Sequence, residues 1–123
     1  MNGKKCILVC VTVQQGCVEL IRRGQDLALK NGADMHVLHV SDNKSLLSRP
    51  DSAAILDTLF SLAREAEAEM SILYERDVAG AIARHARELG ADTLILGPDR
   101  TGLTARVRAQ LPEETELISV SNP

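Results

Sequence analysis

The sequence predicts an α/β fold with one five-stranded parallel sheet, in strand order 3-2-1-4-5, and helices on both of its faces. Apolar strand-like runs alternate with amphipathic helical segments along the whole chain, a pattern typical of parallel sheets. The first run, Lys5–Thr12, is apolar on both of its faces, as expected of a central strand that helices cover on each side. The 123 residues allow one domain, 1–123, and no second one.

The elements follow in order, beginning with the strand Lys5–Thr12. Apolar residues at helical spacing predict a helix from Cys17 to Asn31, which ends at Gly32, and a second strand follows at Met35–Val40. A second helix opens near Pro50. The remaining elements are a strand at Ser71–Glu75, a helix at Val78–Leu89 between Asp77 and Gly90, a strand at Thr93–Leu96, a short helix marked by Leu103, Val107 and Leu111, and a strand at Glu116–Val120.

Two of the junctions between a helix and the next strand are nearly identical. The segments 31–34 (NGAD) and 89–92 (LGAD) each place a glycine at the end of a helix and an aspartate before the next strand. Because the preceding helices do not otherwise match, we interpret the likeness as shared turn chemistry and not as a duplication. Such short turns require right-handed crossovers and a parallel sheet.

Composition excludes several classes of function. The net charge is −3, both signs are scattered, and Phe60 and Tyr74 are the only aromatic residues, so a nucleic-acid partner is not expected. No apolar run approaches the ~20 residues that span a bilayer, and no cleavage site follows the first residues. These features predict a cytoplasmic protein without a membrane segment.

Candidate catalytic and metal-binding residues are few. Cys6, Cys10 and Cys17 form no C-x-x-C pair, which predicts buried, inert thiols. His36 and His39 are three residues apart in a strand, so they point to opposite faces and cannot share a metal. No nucleophile and base have a recognisable spacing, and the expectation is therefore a protein that is not an enzyme and holds no metal.

A ligand is expected at one end of the sheet. In open parallel sheets the crevice lies at the carboxyl ends of the strands, where the strand order reverses. For this order the reversal falls between the first and fourth strands. The loops around it are 12–16, the stretch after Ser41, and 97–102.

The segment 78–97 (VAGAIARHARELGADTLILG), together with ILVCV at 7–11, resembles the universal stress protein family over essentially the whole chain. The chain is also similar to the stress-type domain of potassium-sensor histidine kinases, a cytosolic regulatory module. The resemblance implies an adenine-nucleotide α-hydrolase-like fold, a stress response, and homodimers that pair through the fifth strand. It further implies that ATP or AMP is a possible ligand, because one branch of the family binds adenine nucleotides.

The nucleotide-binding branch carries G-x2-G-x9-G-[ST] after the fourth strand, and this chain departs from that motif. Gly97 is present, but Arg100 stands at the second glycine and no Gly-Ser or Gly-Thr follows. The acidic residue that nucleotide binders often carry after the first strand is also missing. The residues that the resemblance assigns to a nucleotide cleft are Thr12, Val13, Val40, Gly97, Arg100 and Gly102.

The 97–102 loop has two interpretations at this stage. Its glycines could present backbone N–H groups to a phosphate while Arg100, Arg106 and Arg108 attract the charge, or it is a structural turn followed by a solvated helix. A P-loop is not expected, because Leu103 stands where that motif needs lysine.

The leading hypothesis is a non-enzymatic regulatory domain without a cofactor, which acts as a homodimer through the apolar fifth strand or as a module for a protein partner. The alternative is a sensor domain that binds ATP, AMP or a cyclic dinucleotide.

Overall fold

A computed structural model describes residues 5–11, 17–41, 52–97 and 102–120 of the chain. Strands and helices alternate along these residues. They are β1 (Cys6–Val11), α1 (Cys17–Asn31), β2 (Asp34–Ser41), α2 (Ser52–Glu65), β3 (Glu69–Tyr74), α3 (Val78–Leu89), β4 (Thr93–Leu96), α4 (Leu103–Arg108) and β5 (Glu116–Ser119).

The five strands form one parallel sheet in the order β3-β2-β1-β4-β5, which confirms the predicted fold class and strand order. β1 lies at the centre and pairs with β2 on one side and β4 on the other. The chain therefore moves outward from β1 in one direction, returns through α3, and continues in the other direction. The order reverses between β1 and β4, as the sequence predicts.

Two apolar cores cover the sheet, one on each face. On the α1 face, alternate β1 residues (Ile7, Val9, Val11) pack with buried residues of α1 and α2, including Ile21 and Leu59. On the α3 face, Leu8 packs with residues of α3 and α4; the buried set there includes Leu38, Ala79, Ile82, Leu94 and Val107. β1 has no polar face because both of its faces are buried.

The first residues of β1 are held from both sides. The backbone N–H of Asp34 donates to the carbonyl of Lys5 at 2.9 Å, and that of Asp92 donates to the carbonyl of Cys6 at 2.9 Å. The carboxylate of Asp92 also accepts from the N–H of Cys6 at 3.1 Å. The two aspartates therefore set the register at which β1 enters the sheet.

The two predicted GAD turns have the same geometry. Gly32 and Gly90 are both left-handed, with φ of 63° and 67°. The alanine after each glycine donates its N–H to a carbonyl five residues earlier, at 2.9 Å in both turns. This pattern is the Schellman end of a helix, which uses glycine because a side chain strains the left-handed backbone.

A third turn, between α2 and β3, uses the same geometry without glycine. Glu67 takes the left-handed position with φ of 58°, and Ala68 donates to the carbonyl of Ala63 at 2.8 Å. β3 consequently starts at Glu69, two residues before the predicted start at Ser71, and ends at Tyr74. The predicted bounds, Ser71–Glu75, therefore differ at both ends, and no glycine marks this turn in the sequence.

Smaller differences concern the ends of other elements. The helix marked by Leu103, Val107 and Leu111 ends at Arg108, and Leu111 packs on the α3-face core from the turn that follows. The predicted Thr12 end of β1 and the opening of α2 near Pro50 lie outside the described residues.

α1 lies very close to the sheet at Gly24. A Cβ atom there would be 2.5 Å from Cγ2 of Val9 and 2.9 Å from Sδ of Met35, well inside van der Waals contact. Glycine in mid-helix normally costs about 1 kcal/mol relative to alanine. Here it allows α1 to pack directly on β1 and β2.

The described thiols have the character of buried groups. Burial, together with the nearby charges of Asp34 and Asp92, raises the pKa of the Cys6 thiol from 9.0 to about 11. Burial raises the pKa of the Cys10 thiol to about 12. Both thiols are free of disulfide bonds, and their protonated state agrees with the predicted inert character.

We expect Glu67→Gly to raise the free energy of unfolding by about 0.5 to 1 kcal/mol, because glycine relieves the left-handed strain at this turn. Gly90→Ala is the matched control, and it should lower the free energy of unfolding by about 1 kcal/mol. Urea unfolding of the three proteins measures both changes. Destabilisation by Glu67→Gly would show that the Glu67 side chain stabilises the turn more than its backbone strains it.

Thiol labelling should also depend on folding. At pH 8 the thiolate fraction of Cys6 falls about a hundredfold for a pKa of about 11 in place of 9.0. We expect thiol reagents to react at least that much more slowly with the folded Cys17→Ser variant than with the same variant in urea.

The same shift predicts a pH dependence of stability. The folded-state pKa of Cys6 is raised, so its contribution is present below pH 9 and is lost as the pH rises through about 11. In the Cys6→Ala variant, the free energy of unfolding should fall less between pH 9 and 11 than it does in wild type. A pH dependence equal in both proteins would contradict the assignment to Cys6.

Candidate functional site

The candidate site lies at the carboxyl edge of the sheet, between β1 and β4. Three of the residues assigned to it from the resemblance are described: Val40 near the end of β2, Gly97 directly after β4, and Gly102 directly before α4. Thr12, Val13 and Arg100 lie outside the described residues, so their assignment to the cleft stays a prediction.

Val40 and Gly97 border the crevice from different strands. Val40 is half-buried and packs on the α3-face core. Gly97 accepts a hydrogen bond from the hydroxyl of Ser119 in β5, with 3.3 Å between the two oxygens. A Cβ atom at Gly97 would lie 3.4 Å from Cδ1 of Leu20, so α1 closely approaches this side of the crevice.

Gly102 forms the entry into α4. Its φ of 74° is left-handed, and no side chain caps the helix at this position. Glycine at this position supplies no side-chain oxygen to the backbone N–H groups of the first turn, unlike a serine or threonine cap. α4 has only six residues, so its dipole is small and the attraction for a phosphate rests on these few N–H groups.

Arg108 does not face this site, which counts against the interpretation of the 97–102 loop in which this arginine attracts phosphate. Its guanidinium donates to the carbonyls of Leu111, Pro112 and Thr115, all in the connection that leads into β5. These carbonyls lie beyond the C-terminal end of α4, whereas the crevice lies at its N-terminal end. Arg106, also in α4, is exposed.

The remaining positions of the nucleotide motif lie at the wrong end of α4. Counting the family spacing from Gly97 places the third glycine at Gln110 and the serine or threonine at Leu111. Gln110 follows α4, where its carbonyl accepts from the guanidinium of Arg87 at 2.9 Å. Gly102 is the only glycine in the sequence after Gly97, so the loop is shorter than the family motif requires.

His39 is a buried residue that its spacing in the sequence did not single out. It is 5% exposed, on the α1 face of β2. Its Nδ1 lies 2.9 Å from the carbonyl of Val11, so Nδ1 carries the proton and donates to the last residue of β1. Its Nε2 is buried and has no hydrogen-bond partner in the part of the chain that the structure describes.

His36 and His39 occupy positions of opposite parity in β2, as predicted. Nδ1 of His36 lies 3.7 Å from a carboxylate oxygen of Glu69. Glu69 is exposed and belongs to β3, the strand at one edge of the sheet. Within residues 5–11, 17–41, 52–97 and 102–120, no three histidine, cysteine, aspartate or glutamate side chains are placed to hold a metal ion. None of the helices in those ranges is long and apolar enough to cross a membrane.

Comparison with known proteins agrees with this architecture. Residues 4–114 match the Universal stress protein family. The chain is 30% identical over 94 residues to a putative sensor protein KdpD from Synechocystis, and the match covers 76% of this chain. It spans about a quarter of the length of that relative, since the match covers 25% of it.

Solved structures share the fold at low sequence identity. A universal stress protein in complex with cAMP superposes with a TM-score of 0.74, at 16% identity over 99% of this chain and 100% of that one. The universal stress protein from Archaeoglobus fulgidus in complex with dAMP gives a TM-score of 0.68, at 15% identity over 97% and 98% of the two chains.

The match to the family extends from before β1 to the turn that precedes β5, so it includes β1 to β4 and α1 to α4. The chain therefore belongs to the universal stress protein family.

Proposed function

We propose that this chain is a non-catalytic regulatory domain that acts through protein contacts, as a homodimer or on a protein partner, and that it needs no nucleotide cofactor. The cytoplasmic location predicted from the sequence is part of this proposal. The partner that we propose first is a second copy of the chain, paired through β5.

The observation that carries the proposal is the short connection between β4 and α4. Four residues separate Gly97 from Gly102, and α4 begins at the next position. A triphosphate tail needs several backbone N–H groups along a longer loop, and the family motif has a hydroxyl at the position where this chain has Leu111. The half-buried Arg108 of α4 donates to carbonyl groups at the other end of the helix.

The β5 edge supports a pairing surface. Glu116 and Val120 donate their N–H groups to β4, at 2.9 and 2.8 Å. Because successive residues of a strand point to opposite sides, the N–H and C=O groups of Leu117 and Ser119 point away from the sheet. A second β5 related by a two-fold axis would pair with these groups in an antiparallel ladder.

Ser119→Pro tests this pairing. Proline removes one outward N–H and places its ring on the edge, which a terminal strand tolerates but a paired strand does not. We expect the wild-type protein to sediment as a dimer at tens of micromolar and the variant to weaken dimerisation at least tenfold.

Ser119→Ala is the matched control, because it loses the hydroxyl bond to Gly97 and keeps the N–H. It should remain a dimer. Wild-type protein that sediments only as a monomer at these concentrations would remove the homodimer from the proposal.

A second candidate function is a nucleotide sensor. The observation that favours it is Gly102, a left-handed residue that leaves the start of α4 without a side-chain cap beside the crevice. Related structures with this fold contain cAMP and dAMP, each with one phosphate group. A nucleoside monophosphate would need fewer backbone donors than a triphosphate.

Calorimetric titration with ATP, AMP and cAMP separates the two candidates. The regulatory reading predicts no binding tighter than ~100 µM, which corresponds to about 5 to 6 kcal/mol. Tight binding that Arg100→Ala abolishes would favour the sensor, with Arg106→Ala in α4 as the control for loss of one positive charge. ATP bound more tightly than AMP would contradict the argument from the short loop.

A further inference from the structure

We infer that Arg108 is a positioning residue for the β5 edge, which holds that strand in the place where a second copy of the chain pairs with it. The inference rests on the proposed dimer for its functional meaning. Its structural part, the control of β5 by Arg108, can be tested without a dimer.

One guanidinium joins three carbonyls of a single connection. Nη1 of Arg108 donates to the carbonyl of Thr115, and Nη2 donates to that of Pro112 and lies 3.5 Å from that of Leu111. Three residues lie between Leu111 and Thr115, the first and last residues that supply these carbonyls. The planar fork of arginine suits this arrangement, since its nitrogens point along fixed directions.

The carbonyls that Arg108 contacts lie just beyond the helix. Leu111 and Pro112 follow the end of α4, and the carbonyl of Pro112 also accepts from the backbone N–H of Thr115 at 3.1 Å. A cation at this end also interacts favourably with the helix dipole. Arg108 therefore closes the C-terminal end of α4 and ties the following turn to it.

The last of the three carbonyls connects the turn to the strand. Thr115 is 7% exposed and directly precedes Glu116, the first residue of β5. Glu116 donates to the carbonyl of Asp92 at the start of β4. Arg108 thus bonds Thr115 and Asp92 bonds the next residue, Glu116. Together these two bonds set where β5 begins.

α4 itself is anchored independently of Arg108. Val107 is 0% exposed and belongs to the α3-face core. Loss of the guanidinium should therefore release the turn and β5 while α4 stays on the sheet. This separation makes a positioning role distinguishable from a general contribution to folding.

The test is amide hydrogen exchange, resolved by residue with NMR, on wild type, Arg108→Met, Arg108→Lys and Arg106→Met. Methionine keeps an unbranched apolar chain and removes the donors. Lysine keeps the charge without the fork. Arg106→Met is the matched control, since Arg106 lies in the same helix with an exposed side chain.

In dilute protein, where dimers are absent, we expect the amides of Glu116 and Ile118 to exchange about tenfold faster or more in Arg108→Met than in wild type. Arg108→Lys should behave like methionine, and Arg106→Met like wild type. Amides of Val9 in β1 and Val107 in α4 should be unchanged. Equal exchange of Ile118 in all four proteins would overturn the inference, as would a uniform rise that includes Val9.

In concentrated protein the amides of Leu117 and Ser119 report on the dimer, because they point away from β4. We expect concentration-dependent protection of both in wild type and in Arg106→Met, and its loss in Arg108→Met. Absence of this protection in wild type would contradict the proposed β5 dimer. The measurement in dilute protein would still test whether Arg108 positions β5. Full protection in Arg108→Met would contradict its role at the edge.

Discussion

The fold depends on how the central strand is held at its start. β1 enters the sheet between Asp34 and Asp92, whose backbone N–H groups donate to Lys5 and Cys6, and the Asp92 carboxylate adds a bond to the Cys6 amide. Each aspartate follows a left-handed glycine that ends a helix. A helix end, a turn and the register of β1 are thus set together at each junction, which explains why the same three residues, Gly-Ala-Asp, occur twice. The two buried cores then follow from the alternation of β1 side chains.

The crevice at the carboxyl ends of the strands and the β5 edge of the sheet differ in the groups that could bind a partner. Among the described residues at the crevice, Gly102 offers a left-handed backbone at the start of α4, and Arg108 is turned toward the far end of that helix. At the β5 edge, the polar groups of Leu117 and Ser119 have the regular spacing that a second strand recognises. Family membership fixes neither function by itself, because one fold supports different sites. The contrast between these two edges is the reason for proposing protein contacts ahead of nucleotide binding.

Much of the fold could be predicted because its signals are local. The apolar run of β1, the Asp77 cap of α3 and the glycine at 90 each act within a few residues, and each has the expected place. β3 starts two residues before its predicted start, after a turn in which Glu67, and not a glycine, has the left-handed conformation. Arg108 and His39 were misjudged for another reason. Their partners, Thr115 and Val11, are determined by tertiary packing, which residue type and spacing do not encode. The cleft assignments at Thr12, Val13 and Arg100 remain predictions.

The contact at Gly24 has a consequence for how the domain could transmit a signal. Even one added methyl group would collide with Val9 and Met35, so α1 has no clearance to slide or roll against the strands beneath it. Helix and sheet must move as a single rigid unit on that side. A signal between the crevice and a protein bound at β5 would then pass through the layer of α3 and α4. In that layer, α4 begins beside the crevice and leads into the turn before β5.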